Sequence, residues 1–389
     1  MTQTALAAPV GDLGHLLRGG LAALDITQFE FEQVVRRYEQ LGEVLDKQWS
    51  STYGQNAVFP QGSFKLGTVV RNVHRNDDID IDLVAKRDIA KTSISQQELK
   101  EEIGQAVRTF ARTPDSGRPN VEESSRCWTL TWPDMHMDVL PAIPNRDSNR
   151  DDLLITDTDV RTWLSSNPTG YAAWFHARMS PSTLTASAEE AKRLDIEGVP
   201  EWRRRTTLQR VVQALKRHRD VHFAEHLHDR PASIVITTLA AHAYAGGTGL
   251  YDSLRQVVSQ MGSYLEWSDH TWTLSNPAQP AENFLDGWAA EPTRAEHFFE
   301  WLRAAQDTFS GFESKSGLHE VLPLLEASFG RRFARGANDA LSETLDGARH
   351  NKALRMQTGG TLAIASTASA AQGSRTVKGH HFAGGLSPR

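Results

Sequence analysis

Residues 79–84 read Ile-Asp-Ile-Asp-Leu-Val. Strict alternation of aliphatic residues with Asp is the period of a strand with two unlike faces. Side chains two apart in a strand project the same way. Ile79, Ile81 and Leu83 therefore turn to a core, and Asp80 and Asp82 share the other face. Adjacent carboxylates repel and raise each other's pKa unless a cation sits between them. The pair is either a solvated strand face or a seat for a hard cation such as Mg²⁺ or Mn²⁺. Asp77 and Asp78, just before it, read as part of a polar turn over 72–78.

A second segment has the same alternation. In Met135-His136-Met137-Asp138-Val139-Leu140, Met135, Met137 and Val139 share one face, and His136 and Asp138 the other. Laid beside 79–84, this strand would bring Asp138 to the Asp pair. Three carboxylates of this kind can hold two metals that clamp an in-line phosphoryl displacement. One carboxylate can also take the proton of an attacking hydroxyl. The plainer reading of Asp138 is a strand carboxylate facing water, and that of His136 a packed neighbour.

The segment 57–71, AVFPQGSFKLGTVVR, predicts a strand or turn followed by a short helical piece. Within it Gln61-Gly62-Ser63 offers backbone N–H groups and a hydroxyl suited to a phosphate, although a Gly-Ser pair alone is usually only a turn. Upstream, Thr27 and Glu30 have capping-box spacing. Phe31, Val34, Val35, Tyr38, Leu41, Val44 and Leu45 then recur at helical spacing, predicting a long amphipathic helix from about 25 to 49. Residues 95–113 read as a helix, 127–132 and 135–140 as strands, and the stretch from Pro141 through Pro144 to Asp152 as a loop. From about 159 the pattern is helical almost throughout, at 159–166, 170–178, 203–222, 231–245, 249–264 and 292–307, with Pro277 and Pro280 in a loop. The β content is thus expected within about 55–140. That order gives an α+β chain: a flexible N-terminus over 1–24, a sheet-bearing catalytic half over 25–158, a helical half over 159–350 and a flexible tail over 351–389.

In the helical half, LQRVVQALKRHRDVH (208–222) carries an apolar stripe of Leu208, Val211, Val212 and Leu215. Lys216, Arg217 and Arg219 cluster near its C-terminal end. The bland reading is cations favouring the helix dipole. The sharper one is a clamp for a triphosphate reaching into a cleft between the halves.

Composition narrows the functional classes. Lys+Arg 42 against Asp+Glu 48 gives a formal charge of −6, which argues against nucleic-acid binding driven by net charge. Cys127 is the only cysteine, so an internal disulfide and a multi-cysteine zinc site are excluded. That usage predicts a reducing, cytoplasmic setting. No apolar run approaches ~18 residues, and the N-terminus lacks the basic-then-apolar pattern of a secretory signal, so no membrane association is expected.

The ordered set of Gly-Ser, Asp-x-Asp strand, third strand Asp and basic helix resembles the polymerase-β-like nucleotidyltransferase superfamily. Gln61-Gly62-Ser63, Asp80-Ile81-Asp82 and MDVLPAIP (137–144) look like the bacterial cGAS/DncV-like nucleotidyltransferases, the CD-NTases. So do SNPTGY (166–171), LKRHRD (215–220), SIVITTLAA (233–241) and NPAQPAENF (276–284). The resemblance covers roughly 25–345. It implies a nucleotidyltransferase core with a mixed sheet, a long N-terminal spine helix and a second, helical domain like that of oligoadenylate synthetase. It implies an enzyme that joins NTPs, at least one of them a purine, into a cyclic di- or trinucleotide with pyrophosphate release, in CBASS anti-phage signalling. A separate effector would respond to the product rather than bind the enzyme, and an accessory protein would engage the C-terminal tail.

Residue by residue, the resemblance implies that Asp80, Asp82 and Asp138 hold two Mg²⁺ or Mn²⁺ ions, with Asp138 helping to activate the attacking ribose hydroxyl. It implies that Gln61, Gly62 and Ser63 form the donor-triphosphate loop, that Lys216 and Ser233 hold the triphosphate from the helical side, and that Arg126 contacts nucleotide. In many relatives the C-terminus is joined to a target by a ubiquitin-like system. Here Gly384-Gly385 is followed by Leu386-Ser387-Pro388-Arg389, a departure from that pattern. Two other readings stay open: a polymerase-β-like transferase that adds nucleotides to RNA or protein, and a scaffold with a degenerate site.

Overall fold

A computed structural model describes residues 10–49, 57–71, 73, 79–148, 152–157, 163–179, 205–247, 249–315, 317–356, 362–364 and 375–376. The chain forms two compact units, one spanning residues 24–309 and the other combining the N-terminal 23 residues with the chain from 310 onward.

Along the chain, helix α1 (Val10–Ala22) is followed by α2 (Gln28–Trp49), β1 (Val58–Gln61), the short α3 (Gly62–Leu66), β2 (Ile79–Lys86) and α4 (Gln96–Ala111). Strands β3 (Asn120–Glu123), β4 (Trp128–Thr131), β5 (Met135–Pro144), β6 (Leu153–Ile155) and β7 (Leu164–Ser166) come next. Helices α5 (Pro168–Ala177), α6 (Thr207–His222), α7 (Ser233–Ala243) and α8 (Leu250–Gln260) precede the short ribbons β8 (Glu266–Ser268), β9 (Thr271–Thr273), β10 (Ser275–Asn276) and β11 (Gln279–Asn283). The chain continues through α9 (Asp286–Ala290), α10 (Thr293–Gly311), α11 (Leu318–Phe329) and α12 (Arg331–His350) to β12 (Leu354–Met356), β13 (Leu362–Ile364) and β14 (Arg375–Thr376).

The site depends on one mixed sheet of order β1-β2-β5-β4-β3, with β6 and β7 continuing from β5. β2 and β5 run parallel and the other neighbours antiparallel. One sheet face is the core. Ile79, Ile81, Leu83, Met135, Met137 and Val139 are essentially fully buried there against α2 and α4. α2 supplies Val34, Leu41 and Leu45, and α4 supplies Leu99, Ile103, Val107 and Phe110. Each such side chain contributes about 1.5–3 kcal/mol by leaving water. Thr27 and Glu30 form the capping box expected from their spacing: the Thr27 N–H donates to Glu30 Oε2 (2.6 Å), and the Glu30 N–H donates to Thr27 Oγ1 (3.2 Å).

Several expectations need correction. Residues 10–22 are a helix, with Leu16, Leu17 and Leu21 fully buried, where a flexible N-terminus was expected. Leucine periodicity there outweighs the flanking glycines. β5 runs on through Pro141 and Pro144 instead of stopping in a loop, since each proline gives up only its own N–H and β6 pairs with the same stretch. Residues 164–166 are a strand rather than the end of a helix. The segment 266–283 holds four short strands among the helices, so β structure is not confined to 55–140. Within the expected tail, β12, β13 and β14 form a small antiparallel sheet. Asp77 and Asp78 lie outside the described residues. Among the described residues no helix is long and apolar enough to cross a membrane.

Candidate active site

The site begins with strand register. Asp82 on β2 stands opposite Asp138 on its parallel neighbour β5, and Asp80 opposite His136. The core side chains between them force all four onto the other face, as the alternation predicted. Asp80 is well exposed (67%), whereas Asp82 and Asp138 are half-buried. Thr129, the register partner of Asp138 on β4, donates its hydroxyl to Asp138 Oδ1 at 2.6 Å. This fixes the carboxyl on the cavity side of the sheet. His136 Nδ1 lies 3.8 Å from Asp80 Oδ1.

β1 pairs with β2 so that Gln61 stands opposite Asp82. The chain then turns immediately into α3, which starts at Gly62 and Ser63. Gly62 has φ +55° and passes so close to Asp82 that a Cβ there would overlap its carboxylate. The glycine is required both by the left-handed backbone and by the contact.

The opposite wall comes from α6 and α7. A capping box of Thr206 and Gln209 starts α6, and its stripe of Leu208, Val211, Val212 and Leu215 is fully buried as expected. Its cations are not a solvated C-terminal cluster. Lys216, Arg217 and Arg219 are all buried, and each has partners. Lys216 Nζ donates to the Thr68 carbonyl oxygen (3.2 Å), and Arg217 donates to that of Arg71 (3.0 Å). Arg219 donates to Asp220 (2.9 Å), to the Pro231 carbonyl oxygen (2.9 Å) and to the Ser233 hydroxyl (2.8 Å). Ser233 opens α7, whose N-terminal end presents a favourable dipole to an anion.

These walls enclose a cavity of about 300 Å³. Gly62, Ser63, Asp80, Asp82, Asp138, Lys216 and Ser233 all line it. Three of the residues singled out from sequence, Gln61, Arg126 and Arg217, do not. Gln61 holds its register position beside Asp82 without lining the cavity. Arg126 lies outside it, half-exposed (51%), with Nε donating to buried Asp157 at 2.6 Å. The cavity also takes in Arg219, Arg230 and Thr237. Arg219 belongs to the basic cluster that the sequence offered as a clamp, and it shares a helix face with Lys216, three residues before it. Arg230 and Thr237 come from a loop and a helix whose packing no local pattern specifies.

Charge in the cavity is finely opposed. Burial pushes the Asp82 carboxyl up to about 6, the charges of Asp138 and Asp80 push the same way, and Lys216 pulls back. Burial likewise brings the Lys216 amine down to about 8, assisted by Arg219 and opposed by Asp220, Asp82 and Asp80. Among the described residues no group of three or more His, Cys, Asp or Glu side chains is already drawn together to hold a metal ion. The carboxylates instead line one wall, the spread that mutual repulsion favours.

Comparison with known proteins fits this geometry. Residues 20–178 match the Second Messenger Oligonucleotide or Dinucleotide Synthetase domain. A c-di-GMP synthase of Roseivirga ehrenbergii is 28% identical over 299 residues, 76% of this chain and 77% of that protein. The cyclic dinucleotide synthase CdnG of Bradyrhizobium diazoefficiens is 24% identical over 342 residues, 80% of this chain and 79% of its own length. The solved structure of the Bradyrhizobium diazoefficiens CD-NTase CdnG in complex with GTP shares the fold, with a TM-score of 0.67 at 18% identity over 85% of this chain and 99% of that one. The chain thus carries this synthetase domain across its sheet and is similar to these synthases, cGAS/DncV-like nucleotidyltransferases or CD-NTases, well into its helices.

Proposed function

We propose that this enzyme joins NTPs into a cyclic di- or trinucleotide second messenger, releasing pyrophosphate at each bond. The observation that carries the reading is a cavity with three carboxylates on one wall and Ser63, Lys216, Arg219 and Ser233 around it. The named activities of the two relatives support a cyclic dinucleotide, and the GTP in the related structure supports a purine substrate.

In this reading the donor triphosphate lies between the Gly62–Ser63 turn and the start of α7, with Lys216 and Arg219 neutralising its charge. Asp138, held through Oδ1 by Thr129, takes the proton of the acceptor ribose hydroxyl on its other oxygen. That hydroxyl oxygen bonds the donor α-phosphorus, and the bond from the α-phosphorus to the bridging oxygen of pyrophosphate breaks. A further attack by the free ribose hydroxyl of the linear product closes the ring. The donor set fits hard divalent cations, because all three groups are carboxylates and their repulsion calls for positive charge. Two Mg²⁺ or Mn²⁺ ions held by Asp80, Asp82 and Asp138 would supply Lewis acidity at the phosphoryl oxygens.

The wider setting belongs to the same proposal: a role in CBASS signalling, and a separate effector that reads the product. Incubation with all four NTPs and Mg²⁺, then phosphatase and mass spectrometry, tests the reading. A phosphatase-resistant cyclic product is expected, and Asp80→Ala with Asp82→Ala should abolish it while the fold persists. Transfer only to added RNA or protein would overturn it.

A further inference from the structure

Gln209 is buried and uses both ends of its side-chain amide. Oε1 accepts from the Thr206 backbone N–H at 2.8 Å, which completes the capping box of α6. Nε2 donates to the Leu66 carbonyl oxygen at 2.8 Å. Leu66 ends α3, the short helix that begins with Gly62 and Ser63. Further along α6, Gln213 Nε2 donates to the Val69 carbonyl oxygen at 2.8 Å, Lys216 to that of Thr68 and Arg217 to that of Arg71. Positions 209, 213, 216 and 217 fall on one helical stripe. Carbonyls at a helix end and in a loop need donors, and here one helix supplies them to the loop that follows Ser63.

We infer that Gln209 is a positioning residue. It ties α3 to α6 and so sets the spacing between Ser63 and Lys216, which the functional reading above places on either side of the donor triphosphate. The inference rests on that reading. Gln209 itself does not line the cavity. Gly67 supports the assignment from the other side of the bond. It caps α3 with φ +67°, and a Cβ there would lie 2.5 Å from Gln209 Nε2. The glycine is what lets the amide reach Leu66. Small misplacements of groups that hold a reacting substrate are expensive in rate, which gives such a tie functional weight.

Gln209→Glu separates this role from helix capping. Glutamate still accepts from Thr206, since Thr-x-x-Glu is an ordinary capping box, but it cannot donate to Leu66. In nucleotide-free protein, amide exchange across 62–71 should quicken. The Kd for the α,β-methylene analogue of GTP should rise about tenfold, with kcat for product formation less affected. Gly67→Ala should displace the Gln209 amide and produce the same two changes, and the double variant should be no worse than the worse single one. Unchanged exchange across 62–71, quickened exchange with unchanged triphosphate affinity, or additive effects would each overturn the inference. A wild-type enzyme that binds the analogue but forms no cyclic product overturns the functional reading instead, and the affinity ratio still decides the role of Gln209.

Discussion

Gly62 packs so closely on Asp82 that any β-carbon at position 62 would overlap Oδ2 of the carboxylate. The loop proposed for the triphosphate and the carboxylate proposed for the metal are thus one rigid contact, fixed by the β1–β2 register and by a left-handed φ of +55°. Gly62→Ala must move either the turn or Asp82. Strain at the positive φ costs about 1–2 kcal/mol, so the protein should still fold. Product formation should fall at least about a hundredfold, the scale expected when a reacting geometry is displaced by about 1 Å. Pyrophosphate release and circular-dichroism melting, measured together, check this. A variant with normal turnover would show that the contact is incidental.

Asp82 titrates upward to about 6 against an ordinary carboxylate near 4, because it is buried beside Asp138 and Asp80. A raised carboxylate binds its proton more tightly in the folded protein. Stability therefore declines as pH rises through about 4 to 6 and stays lowered above that. Asp82→Asn removes the charge and should stabilise the metal-free protein at pH 7.5 by on the order of 2 kcal/mol. Product formation should disappear. Millimolar Mg²⁺ should raise the melting temperature of the wild type and leave the variant almost unchanged. Equal Mg²⁺ responses in the two proteins would remove Asp82 from the metal site.

The site was more legible than its surroundings, and the reason is geometric. Period-two alternation in 79–84 and 135–140 determines which side chains share a face, so the grouping of Asp80, Asp82 and Asp138 follows once the two strands are neighbours. Parallel pairing brings Asp82 and Asp138 level. The helical spacing around Leu208–Leu215 likewise gave α6 its buried stripe. What sequence did not convey was the state of the polar side of α6. Gln209, Gln213 and Arg217 look like surface residues, yet they are buried because the loop at 66–71 offers carbonyls that need donors. That complement is non-local and leaves no periodic mark. Arg126 went the other way: it sits near the right strand, but Asp157, far along the chain, holds it outside the cavity.

Lys216 should impose a pH limit on nucleotide binding. Burial and Arg219 lower its amine to about 8 in the free enzyme. Below that pH the ammonium is ready to meet a phosphate. Above it, binding must take up a proton, so KM for NTP should rise by up to about tenfold per pH unit. Lys216→Met should show a KM raised roughly ten- to a hundredfold at pH 7, the scale of a lost charge-assisted hydrogen bond, and should lose the alkaline limb. Lys216→Arg should not restore normal affinity, because a planar guanidinium cannot replace a compact ammonium that already donates to the Thr68 carbonyl. Initial rates across pH 6.5–9.5 test both, and an alkaline limb that persists in Lys216→Met would assign it elsewhere.

His218 makes an acid-side prediction about stability. Its ring is buried on α6, with the Trp301 indole N–H 3.1 Å from Nδ1 and the Thr308 hydroxyl 3.1 Å from Nε2. An indole N–H can only donate, so Nδ1 accepts and the proton resides on Nε2, facing Thr308. A second proton would have to sit on Nδ1, against the Trp301 N–H. Burial, with His222 adding to it, lowers this imidazole to about 3. Between pH 6.5 and 3 the unfolded chain binds a proton at this position that the folded protein refuses, so stability falls as pH drops and is fully present above 6.5. From pH 7 to pH 5 the loss assignable to His218 is about 2 kcal/mol. Other imidazoles, such as His176 and His242, shift the same way, so the comparison must be with His218→Gln, whose amide can accept from Trp301 and donate to Thr308 without titrating. Urea unfolding at the two pH values should show the wild type losing about 2 kcal/mol more than the variant. Equal losses would mean that His218 takes up its proton in the folded state, and that the Trp301 bond does not fix its tautomer.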